Sequence, residues 1–118
     1  MISHYIDLDG SESWSLHGRL HRHDGPAYID IDGTRHWYIA DMHHRDDGPA
    51  VEYPNGGQCW YQFGRRHRID GPALTRFDGS KSWWLYDNRI ESAEDFRLMS
   101  GCSDEHITML VLKYGPIE

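Results

Sequence analysis

Tryptophan recurs at a fixed interval in this 118-residue chain, at positions 14, 37, 60 and 83. Each step is 23 residues, and three other short motifs keep the same step. They are an Asp-Gly or Asn-Gly pair at 9, 32, 55 and 78, a His-Arg pair at 21, 44 and 67, and an Asp-Gly-Pro triplet at 24, 47 and 70. Four features with one period indicate a tandem repeat, in which each unit buries apolar surface against its neighbours.

Each repeat has the sequence features of a β-hairpin. In the second unit, the strand-forming segment Tyr28–Ile31 leads into Asp32-Gly33, a pair that tolerates the positive φ of tight turns. The segment His36–Ile39 then supplies aromatic and branched residues that suit a second strand. The following Asp47-Gly48-Pro49 ends strand pairing, because proline lacks a backbone N–H and fixes φ.

We therefore predict an all-β fold with a small α-helical tail. Four 23-residue β-hairpin repeats, at about 4–26, 27–49, 50–72 and 73–91, would form eight short strands in an antiparallel meander or solenoid sheet. The strand register stays open, because an Asp-Gly turn closes either a two-residue loop or a bulged one.

Residues 92–118 lack the repeat motifs and predict two short helices. Ser92 and Ser103 are each followed by acidic residues, as at a helix N-terminus, and Gly115-Pro116 ends the second helix. The apolar residues of the two segments recur at helical spacing: Phe96, Met99, Ile107, Leu110, Val111 and Tyr114. We expect these helices to cap the last hairpin within the same domain.

Composition narrows the functional classes. The formal net charge is −7, from 12 Lys and Arg against 19 Asp and Glu, which disfavours direct binding to nucleic-acid phosphates. The mean hydropathy is −0.75 and no segment approaches a membrane span, so no membrane partner is expected. The first ten residues alternate like a strand and lack the basic region of a signal peptide. The two cysteines, Cys59 and Cys102, favour a reducing, cytoplasmic setting.

The third unit resembles a MORN repeat. From Trp60 to Ala73 it reads Trp-Tyr-Gln-Phe-Gly-Arg-Arg-His-Arg-Ile-Asp-Gly-Pro-Ala, and Asp78-Gly79 follows. MORN repeats are 23-residue hairpin units with an aromatic residue, a glycine and a turn glycine. The chain is more similar still to the His-Arg-x-Asp-Gly-Pro-Ala variant repeats of small phage and bacterial proteins. The resemblance covers about residues 4–90 and implies the hairpin fold.

The chain departs from the family pattern at several positions. The glycine expected after the second strand is present as Gly18 and Gly64, but Asp41 and Asp87 replace it in the other units. Ile90-Glu91 stands where the fourth unit should carry His-Arg. The fourth unit is therefore predicted to be a terminal, capping version of the repeat.

The His-Arg pairs provide one candidate binding site along an edge of the array. Its residues are Arg22, Arg45 and Arg68 with His21, His44 and His67. An aspartate follows each pair, so the arginines can form an ion-pair ladder with Asp24, Asp47 and Asp70. Alternatively, the guanidinium groups and turn amides can bind a phosphate or a carboxylate. The sequence leaves both alternatives open.

The aromatic residues provide a second candidate surface. One tryptophan per unit predicts a column that forms the repeat core. Tyr38, Tyr61 and Trp84 each follow a tryptophan and would point to the opposite face of a regular strand. In a single-layer sheet, these three residues remain in contact with solvent, and such aromatics dominate binding interfaces.

No metal site and no catalytic site are expected. Histidines recur one hairpin pair apart, roughly 10 Å at two strand spacings, which is too far for one zinc ion. The chain has neither a Gly-x-Ser-x-Gly nor a Gly-x-x-x-x-Gly-Lys motif. We therefore expect no metal ligands, no cofactor, no catalytic residues and no enzymatic activity.

These features favour a non-enzymatic protein-binding function. The resemblance implies a phage-encoded, stoichiometric inhibitor of a host defence system, similar to an anti-CRISPR protein and acting in the host cytoplasm. One alternative is a sponge that sequesters a phosphorylated nucleotide on the His-Arg edge, and another is a structural or assembly module. The uncovered strand Tyr5–Leu8 further predicts either a homodimer or the addition of a strand from the target.

Overall fold

Fourteen short strands and two helices form the fold in the computed structural model, which describes all of residues 1–118. The strands are β1 (Ser3–Ile6), β2 (Glu12–Leu16), β3 (Arg19–Leu20), β4 (Tyr28–Ile29), β5 (Arg35–His36), β6 (Tyr38–Ile39), β7 (Met42–His43), β8 (Val51–Glu52), β9 (Gln58–Cys59), β10 (Tyr61–Gln62), β11 (Arg65–Arg66), β12 (Leu74–Thr75), β13 (Lys81–Leu85) and β14 (Asn88–Ile90). The helices are α1 (Ala93–Ser100) and α2 (Asp104–Tyr114). The molecule measures 48 × 29 × 20 Å, an elongated shape typical of stacked repeats.

Every repeat contributes two hairpins. The first closes at the Asp-Gly or Asn-Gly turn and pairs β1 with β2, β4 with β5, β8 with β9, and β12 with β13. The second strand of each unit pairs with the first strand of the next, which gives one antiparallel meander in the order β1-β2-β4-β5-β8-β9-β12-β13-β14. The second hairpin is shorter and pairs β2 with β3, β6 with β7, β10 with β11, and β13 with β14. The predicted all-β meander with a helical tail is confirmed.

The strand count differs from the eight that the sequence predicts. The tryptophan interrupts the second strand, because the Trp37 N–H donates to the Ala50 carbonyl of the next unit at 2.7 Å. A two-residue turn then folds the chain back, with Ala40 and Asp41 at φ values of 47° and 67°. Asp41 can replace the expected glycine because aspartate tolerates this conformation, and its Oδ1 accepts the Leu20 N–H of the preceding unit at 2.6 Å.

The first hairpin turn resolves the register that the sequence left open. In the second unit, Asp30 donates its N–H to the Thr34 carbonyl at 2.9 Å, and Gly33 donates to the Asp30 carbonyl at 3.0 Å. Gly33 adopts φ +92°, so the turn is a three-residue loop with a glycine bulge. Asp32 Oδ1 accepts the Thr34 N–H at 2.9 Å, and this hydrogen bond lowers the pKa of Asp32.

The main hydrophobic core lies at the C-terminal end of the array. α1 and α2 pack on the fourth unit, where Trp83, Leu85 and Ile90 meet Phe96 and the buried face of α2. Both helices begin at the predicted serine caps, and α1 ends at the left-handed Gly101. The helices, of 8 and 11 residues, are too short to cross a bilayer.

The tryptophan column forms the repeat core only in part. Trp83 is 1% exposed and Trp37 is also buried, whereas Trp14 and Trp60 are half-buried. Three small residues, each directly before the first strand of a unit, are completely buried, namely Ala27, Ala50 and Ala73. The apolar core of the first three repeats is therefore thin, and polar contacts of the side chains hold much of each of these units together.

Candidate binding surface

The His-Arg-x-Asp-Gly-Pro-Ala loop folds around its arginine. In the third unit, the guanidinium carbon of Arg68 lies 3.8 Å from the ring centroid of Trp60. The Arg68 Nε–H donates to Asp70 at 2.9 Å and its Nη1–H to the Pro72 carbonyl at 3.1 Å. The same contacts recur with Arg22 on Trp14, Asp24 and Pro26, and with Arg45 on Trp37, Asp47 and Pro49.

A glycine is present in the loop because the arginine side chain occupies the space beside it, and not because the backbone conformation requires one. A Cβ at Gly71 would lie 2.6 Å from the guanidinium carbon of Arg68, and one at Gly48 would lie 2.6 Å from that of Arg45. Neither glycine has a positive φ, so conformational freedom is not the reason for its presence. Each guanidinium is held between an indole ring and a glycine of its own unit.

The structure thus places the predicted arginines in ion pairs within their own units. The side chains of Arg22, Arg45 and Arg68 are 26%, 23% and 14% exposed, and each contacts the aspartate two residues later. Arg45 also pairs with Glu52 at 2.7 Å. These contacts match the ion-pair alternative, and they leave little of each guanidinium free for an external anion.

The predicted histidines join one repeat to the next. The Nδ1 of His44 accepts the backbone N–H of Phe63, in the two-residue turn of the following unit, at 3.0 Å. His21 and His67 accept from the equivalent turn residues, Ala40 and Tyr86, both at 3.1 Å. An Nδ1 that accepts an N–H is unprotonated, so these joints require neutral imidazoles. Burial lowers the pKa of His67 and so favours that form.

The residues predicted for the opposite face lie in a stacked row. His43 lies between Tyr38 and Tyr61, with ring centroids 4.3 and 5.0 Å away. The guanidinium of Arg66 then lies over Trp84 at 4.7 Å and donates to the Tyr61 hydroxyl at 3.2 Å. All three predicted aromatics are half-buried in this row, so each presents only part of its surface to solvent.

Two exposed aromatic residues beside the His-Arg loops were not predicted from the sequence. Phe63 and Tyr86 are 59% and 54% exposed at the tips of the two-residue turns, with φ values of 47° and 50°. Each ring packs against a histidine of the preceding unit, His44 or His67, with centroids 4.0 and 4.1 Å apart. The available signal was an aromatic residue followed directly by Gly or Asp after the second strand.

These tips line the largest cavity, of about 550 Å³, between the third and fourth units. We call it the turn-tip groove and define it by Trp60, Phe63, Ile69 and Tyr86 with Asp46 and Asp70. A smaller cavity at the equivalent place one unit earlier contains Trp37, Arg45 and Asp47. No group of three or more His, Cys, Asp or Glu side chains lies close enough to hold a metal ion.

Comparisons of the chain with protein-family models, with curated proteins and with solved structures return no match.

Proposed function

We propose that this chain is a non-catalytic protein-binding module whose turn-tip groove binds a basic, partly apolar segment of a partner protein. The observation that carries the proposal is the placement of Phe63 and Tyr86. Both are bulky residues held at positive φ, and both project into solvent beside the groove.

This placement opposes stability. A bulky side chain at φ near +50° is a conformational outlier that costs on the order of 1–3 kcal/mol. The contact of each residue with a histidine of the preceding unit offsets only part of this cost, because Phe63 and Tyr86 remain 59% and 54% exposed. Gly, Asn or Asp would suit the backbone better, as Asp41 and Asp87 do at the next turn position. The equivalent residues His17 and Ala40 share the positive φ, so what distinguishes the third and fourth units is an exposed aromatic side chain at this position. Exposed aromatic side chains of this type are enriched in binding interfaces.

The charge around the groove favours a basic partner segment. Asp46 and Asp70 line the groove with side chains that are 84% and 64% exposed, so each carboxylate keeps an open side although it contacts His44 or Arg68, and the whole chain carries a net charge of −7. A Lys or Arg side chain that enters the groove would meet these carboxylates and the faces of Phe63 and Tyr86, which attract cations.

The biological role that we assign to this binding is stoichiometric inhibition of a host defence system by a phage-encoded protein. This role rests on the resemblance of the repeats to those of small phage proteins. The alternative of a nucleotide sponge on the His-Arg edge is less favoured, since Arg22, Arg45 and Arg68 are engaged in ion pairs. An assembly module would need only the sheet edges and would leave the strained aromatics unexplained.

The test is affinity capture from a bacterial host lysate with three proteins compared. Wild type is compared with the double variant Phe63→Asn, Tyr86→Asn and with the control Ile31→Asn, which removes an apolar residue that is 65% exposed on an Asp-Gly turn. We expect one dominant partner with wild type and the control and none with the double variant, which should stay folded because Asn tolerates positive φ. Equal capture by all three proteins would refute the groove as the site.

A further inference from the structure

A second cavity, of about 300 Å³, lies between the Asn-Gly and Asp-Gly hairpins of the third and fourth units. It shares no lining residue with the turn-tip groove. Two arginines line it, Arg66 from β11 and Arg76 from the start of the fourth turn. This cavity is therefore lined by two arginines and no acidic residue, whereas the turn-tip groove is lined by two aspartates.

Neither guanidinium group has an anionic partner. No carboxylate oxygen lies within 4 Å of the guanidinium nitrogens of Arg66 or Arg76, although the chain has 19 acidic residues and Asp87 Oδ1 accepts the backbone N–H of Arg66 at 2.6 Å. The only hydrogen bond of the Arg66 side chain runs from Nη2 to the Tyr61 hydroxyl, at 3.2 Å. Its Nε–H is buried and has no hydrogen-bond partner, which is a costly arrangement for a donor on a charged group.

The acidic and titratable groups around the cavity form no ion pair with either guanidinium. Burial raises the pKa of the Cys59 thiol, with Arg66 and Arg76 opposing that rise, so the thiol stays neutral and both arginines lie close to it. Glu52 is committed to Arg45 at 2.7 Å. The charge of Arg76 helps to lower the pKa of Asp78, but the two side chains make no ion pair within 4 Å.

The rest of the cavity suits a flat ring. Tyr53 and Phe77 both line it, and they are 43% and 74% exposed. Such exposed aromatic faces stack with planar groups of many kinds. The volume is at the lower end of the range for small-molecule sites, about 300–1,000 Å³, and so fits a ligand with one ring system and one anionic group.

We propose that this cavity binds a phosphate ester carried by a flat ring. The guanidinium groups of Arg66 and Arg76 bind the phosphate, since their forked N–H groups match its oxygen atoms. The rings of Tyr53 and Phe77 contact the planar part. A mononucleotide and a phosphotyrosine side chain both have this chemistry. This site goes beyond the protein-binding function proposed above and uses different residues.

The test is calorimetric titration of the full chain with adenosine monophosphate, phosphotyrosine, adenosine and inorganic phosphate. We expect binding of at least one of the two phosphate esters, weaker binding of inorganic phosphate, and none of adenosine. The tighter of the two esters identifies the source of the ligand. Absence of binding by both esters would overturn the proposal, and so would equal affinities for adenosine and its monophosphate.

A pair of charge-matched variants locates the site. Arg76→Gln should weaken binding of the tighter ester by about tenfold or more, because one charged contact to phosphate is lost. Arg65→Gln removes the same charge from an exposed neighbour outside the cavity and should leave binding within about twofold of wild type. Equal weakening by both variants would show a non-specific charge effect and would reject the site.

Discussion

The guanidinium of Arg68 lies over Trp60 at 3.8 Å and occupies the space that a side chain on Gly71 would need. This relationship explains the repeat motif in physical terms. The arginine stacks on the indole, the aspartate holds its Nε–H, the glycine makes room and the proline carbonyl accepts a second N–H. The same spacing produces the same arginine-centred loop in each of the first three repeats.

Gly71→Ala is predicted to destabilise the protein by displacing Arg68. A Cβ 2.6 Å from the guanidinium carbon would force the arginine off Trp60 and away from Asp70. The lost stacking and charge-assisted hydrogen bonds are together worth roughly 1–3 kcal/mol. Chemical denaturation measures the change in the free energy of unfolding.

A double-mutant cycle separates this cause from a backbone effect. Arg68→Ala should cost a similar amount, and adding Gly71→Ala to Arg68→Ala should cost little more, because the clash has gone. Additive costs in the double variant would mean that Gly71 serves the backbone and not the arginine.

Acid is predicted to weaken the fold between pH 6.5 and about 4. Burial lowers the pKa of His43 to about 4, with a contribution from His36, and burial also lowers the pKa of His67. In this pH range the unfolded chain binds protons at these histidines that the folded chain excludes. The contribution of the histidines to the free energy of unfolding is therefore fully present above pH 6.5 and is lost as the pH decreases. The melting temperature should fall steadily over the same range.

The variant His43→Gln tests the assignment. It removes the histidine whose pKa burial lowers to about 4, so its melting temperature should fall less between pH 6.5 and 4 than that of wild type. His17→Gln, at an exposed turn tip, serves as the control and should keep the wild-type slope. Identical slopes for all three proteins would place the acid sensitivity elsewhere.

The repeat, the turns and both helices were predictable because they depend on local sequence. Glycine at the Asp-Gly turns and serine at the helix caps act within a few residues of themselves. The second hairpin was missed because its first turn residue, such as Phe63 or Tyr86, is a poor former of that turn by propensity. Only the hydrogen bond to a histidine 19 residues earlier shows why the turn forms there.

The candidate sites were less predictable, because they depend on which charges meet in space. The sequence presents Arg68 and Arg66 as neighbours in one basic loop. In the structure Arg68 pairs with Asp70, whereas Arg66 lies in the row with Trp84 and has no carboxylate partner. The guanidinium that lacks a carboxylate partner is determined by the face of the strand on which each arginine lies and by the stacking of the units. The repeat motif alone shows neither.

The tryptophans are predicted to differ in their contribution to stability. Trp83→Ala should cost about 3–5 kcal/mol, since it leaves a cavity against Phe96 and Tyr114, and this is a large part of a typical margin of about 5–15 kcal/mol. Trp14→Ala should cost clearly less, because Trp14 is only half-buried. Denaturant midpoints measure both, and equal losses would show that Trp14 contributes to the core as much as Trp83 does.

The exposed strand β1 is predicted to pair with β1 of a second copy. Tyr5 and Ile6 are 65% and 61% exposed, whereas Tyr28 and Ile29, their equivalents one repeat later, are partly covered by the preceding unit. The N–H of Asp7 bonds to Ser11, so by alternation the N–H of Ile6 points away from β2 and is free to pair. Because the helices cover the other end of the sheet, a symmetric dimer through the sheet edges pairs β1 with β1 about a two-fold axis.

Sedimentation velocity of wild type and two proline variants tests this contact. Wild type should form a dimer and Ile6→Pro a folded monomer, because the substitution removes a donor that faces away from β2. Ile31→Pro is the control and should remain dimeric, since Pro54 occupies the same turn position in the third unit. A wild type that is monomeric at all concentrations would exclude self-pairing. The edge would then be free to accept a strand from the target protein, and Ile6→Pro should weaken capture of that partner.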